Sequence, residues 1–218
     1  QVLLREVPSG MSDVVLVTYD RLSRSHGALA AALPGSTEIL LIESESLLRS
    51  STRSAQRLFL LLSAAAHLAD DLRTEGFTVH WIDAPSLRSG LARFREEHPD
   101  ARVRATEPSS HASRRMLIES GVELVPDDAF LTSREDFAAW ADGRRTLVME
   151  TFYRWQRSRL GILMDGAAPT GGQWNFDKDN RLPPPRKPHP WPTPLTHERD
   201  ALDAQVWDSI VTRGLPVT

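Results

Sequence analysis

The sequence predicts an α/β protein: a doubly wound, mainly parallel five-stranded sheet with flanking helices, followed by a helix and a Pro-rich linker. Three observations carry that prediction. Short apolar runs without helical period alternate with amphipathic stretches of helical length, the pattern of parallel βαβ units. Hydrophobic residues fill 40% of the 218 positions and charged residues 25%, which supports one real core and argues against a mainly disordered chain. No apolar run approaches the roughly 20 residues that a membrane-crossing helix needs.

In chain order, residues 13–19 form a Val-rich run bounded by Asp20 and Arg21, read as a buried strand. Strand-like runs recur at 38–42, 77–82, 102–106 and 121–125. The clearest helix is 54–75, where Leu58, Leu61, Leu62, Ala65, Leu68, Ala69 and Leu72 follow the i, i+3, i+4 spacing and Gly76 sits where a helix stops. Residues 85–98 and 110–120 are shorter helical candidates. From Leu147 the character changes. A helix over 147–164 is expected to carry Phe152, Tyr153, Gln156, Leu160 and Leu163 on one side and Arg154, Arg157 and Ser158 on the other. A Gly171-Gly172 turn and the polar-aromatic stretch Gln173-Trp174-Asn175-Phe176-Asp177 follow it. Seven of the fifteen prolines lie between Pro183 and Pro194, which makes that segment extended. Residues 198–212 read as one final helix. The organisation expected is an N-terminal extension over 1–12, an α/β domain over 13–146, a helix with its Gly-Gly-Gln-Trp-Asn-Phe-Asp segment over 147–181, and a Pro-rich linker with a terminal helix over 182–218.

Composition also excludes chemistries. With no cysteine, these residues hold no disulfide, thiolate zinc site, cysteine nucleophile or cysteine-ligated iron–sulfur cluster. The formal charge, 26 − 29 = −3, argues against independent non-specific nucleic-acid binding. The start, Gln1 to Glu6, lacks the basic-then-apolar layout of a signal peptide, so the chain is read as cytoplasmic and without membrane contact. No Gly-x-Gly-x-x-Gly, P-loop, His-Glu-x-x-His or Gly-x-Ser-x-Gly pattern occurs, which argues against a standard dehydrogenase, nucleoside triphosphatase, zinc protease or serine hydrolase.

Doubly wound sheets bind ligands at the carboxyl ends of their strands. Candidate contacts there are Asp20 after the first strand, Glu43 at the end of the second, and Glu107, which Pro108 holds extended after the fourth. Each is equally a turn or capping residue on its spacing alone. The basic cluster Arg144, Arg145, Arg154, Arg157 and Arg159 reads as a solvated helix face, or as a phosphate contact or ion-paired seam.

Three stretches, Val148-Met149-Glu150-Thr151-Phe152-Tyr153-Arg154, Gly161-Ile162-Leu163-Met164-Asp165-Gly166 and Gly171-Gly172-Gln173-Trp174-Asn175-Phe176-Asp177-Lys178-Asp179-Asn180-Arg181, resemble the deoxyribodipyrimidine photolyase-related proteins, the iron–sulfur bacterial cryptochromes and (6-4) photolyases. Supporting matches are the run from Ser63 to Arg73, Thr106-Glu107-Pro108, and Phe130-Leu131 leading to Phe137-Ala138-Ala139-Trp140 and Gly143-Arg144-Arg145. The resemblance covers roughly residues 13–185 and implies the N-terminal antenna domain and the start of a linker. It further implies that FAD, the four-cysteine 4Fe–4S cluster and the damaged-DNA pocket belong to a C-terminal helical domain outside these residues. That domain, or an equivalent partner, would bring damaged DNA to the full-length protein.

Family antenna domains hold 6,7-dimethyl-8-ribityllumazine at the strand ends, which implies cofactor contacts at Asp20, Leu22, Glu43 and Glu107. Asp20 and Leu22 fall in the family's Gly-Asp-Gln-Leu motif, with Tyr19 and Arg21 in place of Gly and Gln. The family's next antenna-contacting Glu falls on Leu47, and its basic His/Lys run falls on Arg53-Ser54-Ala55-Gln56-Arg57. The resemblance implies a function in light-dependent DNA repair or blue-light sensing without catalysis by these residues alone. The alternative is a stand-alone α/β binding module derived from the family. Another nucleotide- or flavin-binding α/β protein is a weaker option, since it has no use for the Gly-Gly-Gln-Trp-Asn-Phe-Asp stretch.

Overall fold

The computed structural model describes residues 12–49, 54–177, 181, 183 and 190–215. Positions 1–11 of the expected N-terminal extension, Arg53 of the expected basic run, residues 178–180, and residues 184–189 of the polyproline segment lie outside the described residues.

Five parallel strands form the sheet: β1 (Asp13–Val17), β2 (Thr37–Ser44), β3 (Thr78–Ala84), β4 (Arg102–Thr106) and β5 (Glu123–Val125), in the order β3-β2-β1-β4-β5. Between them come α1 (Gly27–Ala30), α2 (Glu45–Arg49), α3 (Ala55–Thr74), α4 (Leu87–Glu97) and α5 (His111–Glu119). This is the predicted doubly wound α/β fold. The central strand explains why its sequence does not alternate. All five β1 residues are buried, with Val14 and Leu16 facing Leu91, Phe94 and Leu117 while Val15 and Val17 face Ala28, Leu29, Ala65, Ala69 and Leu72. A strand covered on both faces needs apolar residues at every position.

Register then fixes the strand ends. Val14 pairs with Glu38 on one side and Val103 on the other, and Glu43 pairs with Asp83. The strand order reverses between β1 and β4, so the ligand crevice of such a fold lies above Val17 and Thr106.

Helix boundaries follow local capping. Ser54 caps α3, Ser86 and Ser89 form a reciprocal capping box at α4, and Ser110 caps α5. The first strand stops at Val17 because the Arg21 amide donates to the Thr18 carbonyl at 2.8 Å and closes a turn. The helix α1 is four residues long and α2 five, too short for periodicity to reveal.

The described residues divide into two compact units. One runs up to Ala129 and takes in residues from Glu198 onward, including the final helix α8 (Ala201–Thr212); the other is Phe130–His197. The second unit contains α6 (Arg134–Ala141), α7 (Met149–Leu160) and a two-stranded antiparallel hairpin, β6 (Met164–Asp165) with β7 (Ala168–Pro169). The sequence expectation of a helix through 164 fails at Gly161, which takes a left-handed φ of 66° and terminates α7. Among the described residues, no helix is long and apolar enough to cross a membrane.

Gly27 marks the tightest approach at the strand ends. Its φ is 62°, its amide donates to Asp128 Oδ1 at 2.6 Å, and a Cβ there would lie 2.3 Å from Thr106 Oγ1. Gly27→Ala is therefore expected to lower the unfolding free energy by about 1–3 kcal/mol. Urea denaturation with an unchanged m-value checks this.

Candidate functional site

The candidate site is the carboxyl-end crevice of the sheet, and the structure places the four residues singled out there in different roles. Asp20 is exposed in the turn after β1, where Oδ1 accepts from Thr18 Oγ1 at 2.7 Å and Oδ2 lies 3.4 Å from the Arg21 guanidinium. Leu22 packs, half-buried, against the apolar layer formed by Val15, Val17 and Leu29. Glu107 accepts from Arg114 Nε at 2.7 Å through its carboxylate and from Arg21 Nε at 3.2 Å through its carbonyl. Glu43, whose side chain is only 10% exposed, accepts from Arg213.

Arg21 spans the place where strand order reverses. From the end of β1 it reaches the Glu107 carbonyl, Ser109 Oγ at 2.9 Å and Asp127 at 2.8 Å. The β1 and β4 ends are thereby tied to each other through a side chain that stands where the resemblance expects Gln.

Arg213, just past α8, closes the β2 side. It bonds Glu43 and also Glu45 at 2.6 Å, while Arg49 bonds Glu45 and donates to the carbonyls of Arg213 at 2.9 Å and Gly214 at 3.2 Å. Arg49 thus meets the carbonyl-rich end of α8, where cations are stabilised by the helix dipole. Burial acts to lower the Arg213 pKa, but hydrogen bonds to Glu43 and Glu45 win, and it is raised. Glu45 is held below the usual carboxylate range, chiefly by Arg49 and then by Arg213. The Tyr19 phenol is pushed far above its ordinary value, first by burial and then by the Glu43 carboxylate.

The rest of α8 is fastened along its length. Ile210 and Leu215 are buried against Leu48, Leu58 and Leu62, with Tyr19, Phe59 and Val206 packed beside them. Arg199 lies over the rings of Phe59 and Trp207 at 4.8 and 4.9 Å. At the start of α8, Asp200 and Asp203 form a capping box, and Asp203 also accepts from Ser63 Oγ and lies 3.3 Å from His67 Nε2. One ligand atom from each of His67, Asp200 and Asp203 lies within 4.8 Å of the others. Both carboxylates already serve the cap, so the group reads as the anchor of α8 rather than a metal centre.

In the second unit, Arg157 overturns the expected helix faces. Tyr153 and Arg157, assigned to opposite sides by polarity, are i, i+4 neighbours and share one face. Arg157 is 7% exposed. It donates to the carbonyls of Ile162, Leu163 and Trp174 and to the Tyr153 hydroxyl, and lies over the Tyr153 and Trp174 rings at 5.3 and 5.4 Å. Asn175 Nδ2 bonds Glu150 at 3.2 Å, and Arg154 lies over the Trp174 ring at 5.5 Å. The Gly-Gly-Gln-Trp-Asn-Phe segment therefore folds back on α7. Arg144 stacks on Trp140, and Arg159 stacks on Trp155 and pairs with Asp136. The basic cluster is largely engaged with aromatic rings and carbonyls of its own unit. A hollow of about 500 Å³ lies beside Phe130, Leu131, Phe137 and Phe152.

The missed residues are the partners of the expected ones. Arg213 is 170 positions from Glu43, and nothing local announces such a pair. The Ser133–Asp136 capping box of α6 was readable as Ser-x-x-Asp before an apolar run.

Two expectations follow. Arg157→Ala removes the donor shared by the Ile162, Leu163 and Trp174 carbonyls, each bond to such a charged group being worth about 1.5–3 kcal/mol; limited proteolysis is expected to gain cuts within residues 161–176. Folding stability is also expected to be bell-shaped in pH. Asp203 is held low, chiefly by Ser63, so its contribution and that of Glu45 are present above about pH 4 and lost as pH falls through their lower native values. The Tyr19 contribution is present below about pH 10 and lost as pH rises toward its raised native value. Urea midpoints across pH, with Asp203→Asn flattening the acid limb, check both signs.

Comparison with known proteins completes the site. The family model for the deoxyribodipyrimidine photo-lyase-related protein matches residues 15–216, from β1 through Arg213. A (6-4) photolyase of Agrobacterium fabrum is 33% identical over 185 residues, covering 79% of this chain and 36% of that protein. An uncharacterized protein of Acanthamoeba polyphaga mimivirus is 22% identical over 170 residues, covering 71% of this chain and 87% of that protein. The chain thus spans about a third of the length of the photolyase it matches. With one model running from the first strand to the arginine that locks the last helix, the chain belongs to the deoxyribodipyrimidine photolyase-related protein family.

Proposed function

We propose that this chain is the α/β, antenna-type domain of a DNA photolyase or cryptochrome-like flavoprotein, serving light-dependent DNA repair or blue-light sensing, and that it is not catalytic alone. The observation that carries the reading is the 33% identity to a (6-4) photolyase of which this chain spans 36%. In such a protein, FAD and the cysteine-ligated cluster belong to residues outside this chain, which itself contains no cysteine. Lesion repair by electron transfer from reduced flavin leaves the protein to supply positioning and electrostatics. This chain's part is a sheet packed on both faces and a second unit held by its own internal bonds. Its net charge of −3 leaves DNA attraction to the remainder of the protein.

A second reading is favoured by one observation. The mimivirus relative is covered over 87% of its length, so a protein made almost wholly of this region exists. In that reading the chain is a stand-alone binding module.

Expression of the natural reading frame to its own stop codon separates the two. The first reading expects a flavin absorbance spectrum and light-dependent repair of a (6-4) photoproduct by the natural protein, with no repair by residues 1–218 alone. A colourless natural protein that ends near this chain's length, with no repair activity, overturns the first reading in favour of the second.

A further inference from the structure

A lumazine at the strand ends needs polar groups turned toward its ring and ribityl hydroxyls, and backbone able to approach closely. The residues here do not fit that need. Asp20 is taken up by Thr18 and Arg21, and the Glu107 carboxylate by Arg114. Leu22 is turned into the apolar layer. Where the resemblance expects Gly, Tyr19 places a phenol ring that is packed against two apolar clusters. Glu43, the best-buried carboxylate of the set, is paired with Arg213.

What meets the β2 end is instead the chain's own C-terminal segment. Three independent fastenings hold it. Its arginine is seated between Glu43 and Glu45. Ile210 and Leu215 are buried, at 2% and 5% exposure, against Leu48, Leu58 and Leu62. Its N-terminal cap is bonded to Ser63 and His67 on α3. An apolar anchor, a charge pair and a cap that all engage one helix are the mark of a built joint rather than of a surface contact.

Taking the antenna-type reading proposed above as its basis, we infer that residues 198–215 cover the β2 side of the strand ends, with Arg213 and Tyr19 as the residues that exclude the lumazine. The β2 end and the adjoining α2 and α3 are a docking socket for the chain's own helix, and Glu43 is the anchor of that helix rather than a chromophore contact. A member of the family built this way works without the antenna, so light must be absorbed by whatever chromophore the rest of the protein holds.

Two measurements on residues 1–218 test this independently of any flavin assay. Equilibrium titration with 6,7-dimethyl-8-ribityllumazine is expected to show no saturable change in its fluorescence up to about 100 µM, the concentration range of weak binding. One-to-one binding at micromolar affinity overturns the inference while leaving the family reading intact. Hydrogen exchange supplies the second arm. Both Arg213→Ala and Glu43→Gln are expected to speed exchange across residues 201–215 by about tenfold or more, with the β1 and β2 amides still protected. Arg114→Ala, which releases only Glu107, is expected to leave that exchange unchanged. Unaltered protection of 201–215 in the Glu43 and Arg213 variants, or equal loosening in the Arg114 variant, overturns it.

Discussion

The carboxyl end of the sheet depends on how one buried carboxylate is neutralised. Glu43 sits near the end of a strand that is buried over most of its length, with its own side chain only 10% exposed. An unpaired charge in that place is costly, so something must meet it. The partner is Arg213, and bringing it there requires the chain to return to the sheet after the whole of the second unit has been made. The apolar contacts of Ile210 and Leu215 and the cap at Asp200 and Asp203 hold the helix in the place where that pairing is met.

The same logic operates on the other side of β1. Arg21 reaches the β4 end and Asp127. Two arginines, one from the strand's own turn and one from the end of the chain, thus close the crevice from opposite sides. Between them stands Tyr19. In the reading proposed above, these three positions are what keep a lumazine from the strand ends.

The sheet was legible because its signal is local. A strand buried on both faces leaves an unbroken apolar run, and α3 shows its period over 20 residues. The strand ends, and with them the candidate residues, followed from that. The partners were not legible, since Glu43 and Arg213 meet across 170 positions with no spacing rule to link them. Arg157 was misplaced for a related reason: polarity puts an arginine on the wet face, whereas three carbonyls and two aromatic rings make a buried site for it. The short helices α1 and α2 lie below the length at which a period can be read.

The most direct measure of the account is a double-mutant cycle between Glu43 and Arg213, using Glu43→Gln, Arg213→Gln and the pair, with stability read by urea denaturation. The account predicts a coupling of about 1–3 kcal/mol, as for contacting members of one ion-pair network. A coupling near zero, with the two single losses simply adding, would contradict it.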